Sequence, residues 1–578
     1  MSVEMANPNA DQQLARPLTS VAQIARAWLR RGSWVLVIFA AAAALSIYPV
    51  ITAVRWRVIG WSGDNVQYVY MTGRVAEALR SGQSPFTDPD LNYPGTLMLP
   101  ETDAPFLSMI AVAPLTLLFT PTLGYNVILF FSALLSGYFT YLWIRRLTNS
   151  RFGGLVAGLV FLLSPFRVVH SYGHLQLIST QFIPLFFWAL DSSLSGPAPS
   201  RRHLISLATA TLLVGASSQY YVFICVFAGV AYAFLGASSR SFLLRHGWRL
   251  AASVIVGAAL GSAPYLATLF GDTAYTPHSI ADTRMWSASP LDFFIPSQLH
   301  PLWGSLVDRL YPRPTWIERT LYLGTVALAL ALAGMVWHLN GGMRRNWIWL
   351  AIAIIGAVMA LGTDLHVNGQ PLSQNSPLWL PAYYLAQLPF ANLMRAWSRF
   401  AVITLFFIAC LAGLGAATLQ RRFRWGLWPA AVCAALVMLD LAPGQLTSFT
   451  LQPRDIDRWL TAQPGTFAAG FLPPNLADYM TAYGSLLHNK KIPYTNHPVH
   501  IPREYRDYMA AAADFPNQES IRALRNMGLH YLILDAQAFD GHDAPDWAQV
   551  EAALAKSNEI NVVETIDGHT IVNLAPTP

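Results

Sequence analysis

Long apolar runs separated by short polar connections extend over most of the chain. A membrane-spanning helix needs about 20 mostly apolar residues. Eleven segments approach this pattern: 33–54, 124–143, 152–165, 178–195, 204–216, 219–236, 250–270, 320–338, 347–362, 400–418 and 426–442. The stretch 105–119 is also apolar, but Pro105, Pro114 and Pro121 interrupt or bound it. We predict an α-helical polytopic membrane protein with about 11 transmembrane helices, and a helix at the outer interface over 105–119.

Arginine clusters occupy alternate connections between these segments. The positive-inside rule assigns such clusters to the cytoplasm, and all six fall on one side if 105–119 does not cross. The clusters are Arg16, Arg26, Arg30 and Arg31; Arg145, Arg146 and Arg151; Arg201 and Arg202; Arg240, Arg245 and Arg249; Arg344 and Arg345; and Arg421, Arg422 and Arg424. We therefore predict a protein of the plasma (inner) membrane with three parts. They are a cytoplasmic segment (1–32), a transmembrane domain (33–444) and an extracytoplasmic tail (445–578).

The tail differs in composition from the rest of the chain, since it contains 15 of the 31 acidic residues and all three lysines. Strand-like runs lie at 467–472, 530–535 and 559–574, and Asp567-Gly568 supplies a hairpin turn in the last run. Helical patterns alternate with these strands, at 504–513, 517–527 and 547–556. This alternation predicts a small α/β domain.

Composition supports a membrane protein and excludes other classes. The 578 residues are 54% hydrophobic and 12% charged, with a mean hydropathy of +0.37, whereas soluble proteins have roughly 25% charged residues. The net charge is +6, but the arginines form no contiguous basic face, so we expect no nucleic-acid partner. All three cysteines lie in apolar runs, without the spacing of a disulfide framework or a zinc site.

Ionisable residues are nearly absent from the centres of the predicted spans. Proton-coupled transporters need titratable groups at mid-membrane, so this distribution disfavours that class. Polar residues concentrate instead in three predicted outer loops, 55–123, 271–319 and 363–399. We therefore expect the functional site at the outer membrane surface.

The first outer loop is rich in carboxylates. Asp64 opens a predicted helix at 65–81, and further acidic residues follow: Asp88, Asp90, Glu101 and Asp103. In glycosyl transfer a carboxylate base takes the proton of the acceptor hydroxyl. Asp64 also suits a helix cap, with Gln67 three residues later as in a capping box. Both roles stay open at this point.

The connection after the third span carries three basic side chains at helical spacing. Arg167, His170 and His174 would share one face if the segment is helical. They are candidates for substrate or phosphate binding. The two histidines would need a third ligand to bind a metal, and interfacial anchoring is a third interpretation.

Arginines also lie on the outer side, where the positive-inside rule does not explain them. Arg395 and Arg399 are four residues apart before the tenth span, and Arg284 lies in the loop 271–319. The guanidinium fork suits phosphate oxygens. Snorkelling anchors at the membrane surface would show the same pattern.

Several motifs resemble the GT-C superfamily of integral-membrane glycosyltransferases, in the bacterial type that uses polyprenyl-phosphate sugars. They are the Gly63-Asp64 pair in the first loop, RRLTNSRFGGLVAGLVFLLSP at 145–165 and LPFANLMRAWSRF at 388–400. The tail segment LRNMGLHYLILD is similar to the outer C-terminal domains of such proteins. The resemblance implies a polyprenyl-phosphate-linked donor and an essential Asp in the first outer loop, a role that falls on Asp64.

We therefore predict an inverting glycosyltransferase that moves a sugar to an extracytoplasmic glycan, lipid or protein acceptor. Asp64 would be the general base, Glu101 or Asp103 a second carboxylate, and Arg395 or Arg399 would neutralise the leaving phosphate. The sequence specifies no metal, although a divalent cation is compatible with it. Two other functions stay open: a lipid or glycan transporter or flippase, and a non-catalytic cell-envelope assembly protein.

Overall fold

The computed structural model describes residues 34–574 except 267, 269–277, 314, 338–342, 374–376, 390, 477, 496–500, 543 and 558. The predicted cytoplasmic segment 1–32 and part of the loop 271–319 therefore lie outside the described residues. Helices form most of the structure. The longer ones are Trp34–Ser46, Asp64–Arg80, Phe106–Leu118, Pro121–Thr148, Arg151–Leu162, Ile183–Leu194, Arg201–Gly215, Gln219–Gly236, Arg240–Gly261, Thr325–Val336, Met343–Ala360, Ala401–Arg422 and Leu427–Asp440. Shorter helices are Pro165–His170, Leu175–Ile178, Ala263–Leu266, Ile280–Met285, Gly304–Leu310, Trp316–Arg319 and Pro381–Leu385.

The helix Ala401–Arg422 lies at the centre of the bundle. Every residue from 401 to 418 is buried, as expected for a helix that is apolar on all sides. Gly413 lets this helix approach Arg151–Leu162 closely, because a Cβ atom there would lie 2.6 Å from the carbonyl oxygen of Gly153. Small residues at such contacts are typical of helix packing in membranes.

Five helical segments in the described part of the chain are long and apolar enough to cross a membrane. They are Pro121–Thr148, Arg151–His170, Gln219–Gly236, Met343–Ala360 and Trp397–Arg422. Several shorter apolar helices pack around them. The protein is therefore membrane-embedded and crosses the bilayer several times, while the count of eleven spans stays a prediction.

The bundle has two distinct ends. At one end Ser150 donates a hydrogen bond to Gln420 (2.9 Å), and Arg344 donates to the carbonyl of Ala237 (2.7 Å). We call this the arginine end, defined by Arg145, Arg146, Arg202, Arg344, Arg421 and Arg422. The opposite end begins at residue 401 of the central helix, about 33 Å away at 1.5 Å per residue. That length matches the hydrocarbon core of a bilayer, about 30 Å.

The helix Phe106–Leu118 does not cross the bundle. Just before it, Ala104 contacts the Tyr265 hydroxyl (2.7 Å), and just after it Phe119 lies under the guanidinium of Arg55 (4.5 Å). Both contacts belong to the end opposite the arginine end. These contacts support the prediction of a helix at the outer interface, which stays a prediction.

The strands lie beyond this same end. A four-stranded mixed sheet has the order Ala468–Leu472, Leu529–Asp535, His569–Asn573 and Asn561–Ile566, in which only the first pair is parallel. Short antiparallel pairs complete the strands: Arg57–Ile59 with Ser448–Thr450, Thr87–Asp88 with Leu97–Met98, and His366–Val367 with Gln370–Pro371. The tail helices are Asp455–Ala462, Tyr479–His488, Arg503–Ala512, Gln518–Asn526 and Trp547–Lys556.

The tail packs directly on the first outer loop. Val58, Tyr70 and Leu91 of the loop share one buried cluster with Ile456 and Ile533 of the tail. Burial of apolar surface is the main favourable term in such packing. The tail elements therefore hold the loop and its carboxylates in a fixed place.

Candidate active site

Asp64 is the first residue of the helix Asp64–Arg80, and the interpretation of Asp64 as its N-cap is wrong. Gly63 occupies the cap position, and the side chain of Asn65 accepts from the Gly63 amide (3.1 Å). Gln67 does not complete a capping box, since its amide donates to Thr102 (2.9 Å). The carboxylate still lies where the helix dipole favours negative charge, but its side chain is free to face other groups.

Four groups from distant parts of the chain surround the Asp64 carboxylate. His174 Nε2 lies 3.9 Å from Asp64 Oδ2, and the Tyr479 hydroxyl of the tail lies near enough to lower the pKa of Asp64. Arg399 and Arg395 are near enough to act on it electrostatically. Burial among these elements raises the pKa of Asp64, against the opposing effect of Tyr479 and the two arginines. The side chain keeps 48% of its surface accessible, so a bound molecule can reach the carboxylate.

His174 reaches Asp64 from the connection after Arg151–Leu162. The residue ends a turn after the helix Pro165–His170, and its ring contacts the His170 ring at 5.3 Å between centroids. Burial, with the charge of Arg399, lowers the pKa of His174 to about 3. The ring is therefore neutral near pH 7 and can exchange a hydrogen bond with a bound group.

A buried ion pair anchors the other side of the site. Arg399 lies in the turn Trp397–Phe400, directly before the central helix, and donates two hydrogen bonds to Glu318 Oε1 (2.6 and 3.1 Å). Ser398 donates to the second carboxylate oxygen (3.0 Å), and His170 Nε2 lies 3.5 Å from it. Although burial opposes it, the arginine charge holds the pKa of Glu318 well below its usual range. This pair fixes the position of Arg399.

Arg395 is held more loosely than Arg399. Its nearest carboxylate is Asp282, at 3.8 Å, and its guanidinium lies over the Trp286 ring at 4.5 Å. The side chain is 36% exposed, against 11% for Arg399. A guanidinium with open donors can bind an incoming phosphate, whereas one already saturated by a carboxylate is better suited to positioning.

The two candidates for a second carboxylate lie close in sequence but differ in their contacts. Asp103 accepts from the Ser218 hydroxyl (2.6 Å) and the Gln219 amide (2.9 Å), so it anchors the start of the helix Gln219–Gly236. Burial raises its pKa, while these two donors lower it. Glu101 is buried at the end of the short helix Leu99–Glu101. The contacts of Asp103 indicate a structural role.

Two other predicted residues have internal partners. Arg167 is buried and donates to Thr180 (2.8 Å) and to the carbonyls of Leu162 and Ile178 (both 2.9 Å). Arg284 pairs with buried Asp364 (3.0 Å) and lies over Trp379 (5.2 Å). These contacts hold both guanidinium groups and do not involve Asp64, so substrate binding by either residue stays a prediction.

The expected single helical face does not form. The helix ends at His170, and His174 follows after a turn. Arg167 therefore points to its own carbonyl partners, while His170 contacts Glu318 and His174 contacts Asp64. The site thus keeps the two histidines and not Arg167.

Sequence reasoning missed two residues of this cluster, Glu318 and Tyr479. Glu318 lies one residue before Arg319 and just ahead of a predicted span, in a chain with few acidic groups there. That rarity was a usable signal. Tyr479 follows Asp478 in the tail, and nothing in its local pattern indicates contact with the first loop.

The described residues contain no group of three or more His, Cys, Asp or Glu side chains placed to bind a metal ion. Asp64 and His174 supply two adjacent ligand types. A metal ion bound by these two side chains would need at least one further ligand, from water, from substrate or from residues outside the described part of the chain.

Comparison with known families assigns the chain by sequence. A family model described as "Domain of unknown function (DUF6311)" matches residues 33–442. The chain belongs to this family. The match spans the predicted transmembrane domain almost from end to end and stops where the tail begins. No curated protein matches the chain.

Solved structures establish the fold. The arabinofuranosyltransferase AftD from Mycobacteria superposes with a TM-score of 0.58 at 15% identity, over 95% of this chain and 40% of AftD. A mutant form of AftD gives 0.53, with 15% identity over 95% and 42%. ArnT from Cupriavidus metallidurans, bound to undecaprenyl phosphate, gives 0.43, with 14% identity over 94% and 98%. The GT-C fold predicted from the sequence is confirmed, and this chain spans about two fifths of the length of AftD.

Proposed function

We propose that the protein is an inverting membrane glycosyltransferase with a polyprenyl-phosphate-linked sugar as donor. The observation that carries this proposal is the placement of an accessible carboxylate, Asp64, beside Arg395 and Arg399 at one end of a membrane-embedded bundle. Transfer of a sugar from a lipid-linked phosphate requires both groups: a base that takes the acceptor proton and a positive charge near the leaving phosphate.

In the proposed reaction the acceptor hydroxyl attacks the anomeric carbon of the donor. Asp64 takes the hydroxyl proton as the new glycosidic C–O bond forms. The bond from the anomeric carbon to the phosphate oxygen breaks, and polyprenyl phosphate leaves with the electron pair. A single displacement of this kind inverts the anomeric configuration.

The two arginines have different roles in this scheme. Arg395 keeps open donors and binds the phosphate, whose charge grows as the bond breaks. Arg399 is paired with Glu318, whose other carboxylate oxygen accepts from Ser398, so Arg399 supplies a fixed positive field and positions its neighbours. Neutral His174 orients the carboxylate or the acceptor hydroxyl.

We call the end of the bundle that contains Asp64 and Arg399, opposite the arginine end, the site end. We further propose that the site end faces the extracytoplasmic side of the plasma (inner) membrane. The arginine end would then face the cytoplasm, as the positive-inside rule requires. With this orientation the tail lies outside and covers the site, where Tyr479 contacts Asp64.

The experiment is a transfer assay with purified protein and a panel of polyprenyl-phosphate sugars. Release of polyprenyl phosphate should depend on an acceptor and should be lost in Asp64→Asn. A flippase would instead move the labelled lipid across proteoliposomes with its sugar–phosphate bond intact. An assembly protein would do neither, and either result would contradict the transferase proposal.

A further inference from the structure

A second polar pocket lies in the tail, next to the candidate active site. It sits between the end of the strand Ala468–Leu472, the start of the helix Tyr479–His488 and the sheet. Its lining includes Arg454, Phe471, Asp478, Tyr494, Tyr505 and Asp535. We call this the tail pocket.

The charges of the tail pocket disfavour an anionic ligand. Arg454 is already paired with Asp457 (2.9 Å) and lies 3.7 Å from Asp478. Asp535 adds a further carboxylate to the lining. Carboxylates accept hydrogen bonds from hydroxyl groups, while their negative charge repels phosphate. The carboxylates of the pocket lining therefore suit a neutral ligand with many hydroxyl groups.

Aromatic side chains provide the apolar part of the lining. Phe471 carries the Arg454 guanidinium on one face of its ring (5.2 Å), and Tyr505 is fixed by a hydrogen bond to the carbonyl of Asn475 (3.0 Å). A small set of polar groups among rigid rings is typical of pockets that orient a small ligand. A sugar ring offers both matching surfaces, hydroxyl groups at its edge and C–H groups on its face.

Tyr494 supplies an independent sign of a missing ligand. The residue is only 2% exposed, it lines the tail pocket, and its hydroxyl has no hydrogen-bond partner among the described residues. Leaving a buried hydroxyl without a partner is unfavourable, because its hydration is lost and not replaced. Burial, together with nearby acidic groups including Asp478 and Asp64, raises the pKa of Tyr494 well above its usual value. The hydroxyl therefore stays protonated and available as a donor.

The tail pocket connects to the proposed base through one helix start. Asp478 lines the pocket and caps the helix Tyr479–His488, with its carboxylate accepting from the amides of Met480 (3.1 Å) and Thr481 (3.3 Å). The next residue, Tyr479, lies near Asp64, and each of the two groups shifts the pKa of the other. The lining of the pocket and the surroundings of Asp64 therefore share one helix start, so a molecule held in the pocket lies near the proposed base.

We propose that the tail pocket binds the non-reacting part of a neutral, hydroxyl-rich glycan acceptor. The Tyr494 hydroxyl and the Asp535 carboxylate contact its hydroxyl groups, and Phe471 and Tyr505 contact its ring faces. This proposal rests on the proposed function, since it names the acceptor class of that reaction.

The test measures binding of neutral methyl glycosides of pentoses and hexoses to the full-length protein by ligand-observed NMR. Inorganic phosphate is the comparison ligand. Tyr494→Phe removes only the hydroxyl and fills the same volume, and Asp535→Asn removes one charge. Each should weaken glycoside binding by roughly tenfold, the value of one hydrogen bond to a buried or charged group. Asp507→Asn changes an exposed carboxylate of the tail that does not line the pocket, and it should leave binding unchanged.

The proposal is overturned if the glycosides do not bind, if binding is the same in both pocket variants, or if phosphate binds better than the glycosides. A melting temperature measured for each variant separates binding from folding. Binding of the polyprenyl-phosphate sugar is measured in parallel. Loss of glycoside binding with intact donor turnover contradicts the tail pocket alone, whereas absent turnover with intact glycoside binding contradicts the proposed function alone.

Discussion

The two ends of the helical bundle both contain arginines, but the arginines differ in their partners. At the site end they pair with buried carboxylates: Arg399 with Glu318 at 2.6 Å, and Arg319 with Asp292 at 3.1 Å. At the arginine end Arg421 donates to the backbone carbonyl of Thr148. The same residue type therefore serves two purposes in one molecule.

This difference follows from the cost of burying charge. A buried ion pair loses hydration that its attraction only partly restores, so it adds little to stability by itself. A buried ion pair can instead serve to hold a charged side chain in a fixed place. An arginine at a membrane surface needs only its charge, because topology depends on where positive residues lie and not on their partners. Substitutions at the two ends should therefore have different consequences.

The first prediction tests whether the two ends lie on opposite sides of the membrane. Ala552→Cys places a thiol on an exposed helix of the tail, and Arg202→Cys places one at the arginine end, while the three native cysteines are buried. In intact cells an impermeant maleimide should label the tail variant fully and the Arg202 variant only after permeabilisation. The opposite pattern would reverse the proposed orientation of the site.

The second prediction concerns the base. Asp64→Asn keeps the shape of the side chain but cannot accept a proton, so transfer should fall by roughly 10²–10⁴-fold, the contribution of a positioned general base. Because Asp64 is not the helix cap, the melting temperature should change little. Single-turnover transfer and thermal unfolding measure the two effects.

Glu77→Gln is the matched control for Asp64→Asn. Glu77 lies on the same helix in an exposed pair with Arg80 (2.7 Å), and such pairs contribute little to stability. Its transfer rate should equal that of the wild type. If both variants transfer at the normal rate, the base lies elsewhere, and Glu101 becomes the next candidate.

The sequence predicted local features well and long-range assembly poorly. The strand over 467–472, the Asp567-Gly568 hairpin and the helix after Asp64 follow from periodicity and turn chemistry, and all are present. The contact between Tyr479 and Asp64 joins residues more than 400 positions apart, so no local pattern encodes it. The shared helical face predicted for Arg167, His170 and His174 was wrong. The spacing of these residues fits a helix, but the helix ends at His170 and a turn follows.

The third prediction separates the positioning arginine from a surface one. Arg399→Ala leaves Glu318, which is 4% exposed, without its main partner, and should destabilise the protein by about 3–5 kcal/mol. Arg80→Ala, in the exposed pair with Glu77, should change the stability far less, because solvent screens an exposed pair. Denaturation in detergent measures both.

A double variant sharpens the test of Arg399. Arg399→Met with Glu318→Leu replaces the pair by apolar side chains and should recover most of the lost stability, while transfer stays low because the positive field is gone. A single variant as stable as Arg80→Ala would show that the buried pair is not a structural anchor.

The fourth prediction assigns the phosphate to Arg395. Arg395→Ala should weaken donor binding by roughly 10–100-fold, since a hydrogen bond to a charged group contributes about 1.5–3 kcal/mol. Its stability should change little, because Asp282 lies at 3.8 Å and is itself partly exposed. Arg422→Ala at the arginine end should leave donor affinity unchanged. Equal affinity in Arg395→Ala and wild type would make Arg395 a membrane anchor.

The fifth and smallest effect is a shift in the pH profile of transfer. The base must be ionised, and burial raises the pKa of Asp64 above its usual 3.8, so kcat/KM should fall with decreasing pH at a higher pH than for an ordinary Asp. His174 does not produce this limb, because its pKa is lowered to about 3. Arg395 lowers the pKa of Asp64. Its removal by Arg395→Ala should therefore move the acid limb to higher pH.

Tyr479→Phe should shift the limb in the same direction, since the Tyr479 hydroxyl also lowers the pKa of Asp64. Arg422→Ala is the control at the arginine end. Its charge lies several Debye lengths from Asp64, about 8 Å each at physiological ionic strength, and should leave the limb in place. A shift to lower pH in Arg395→Ala, or equal shifts in Arg395→Ala and Arg422→Ala, would show that Asp64 is not the titrating group, because loss of a nearby positive charge raises the pKa of a carboxylate and loss of a distant one leaves it unchanged.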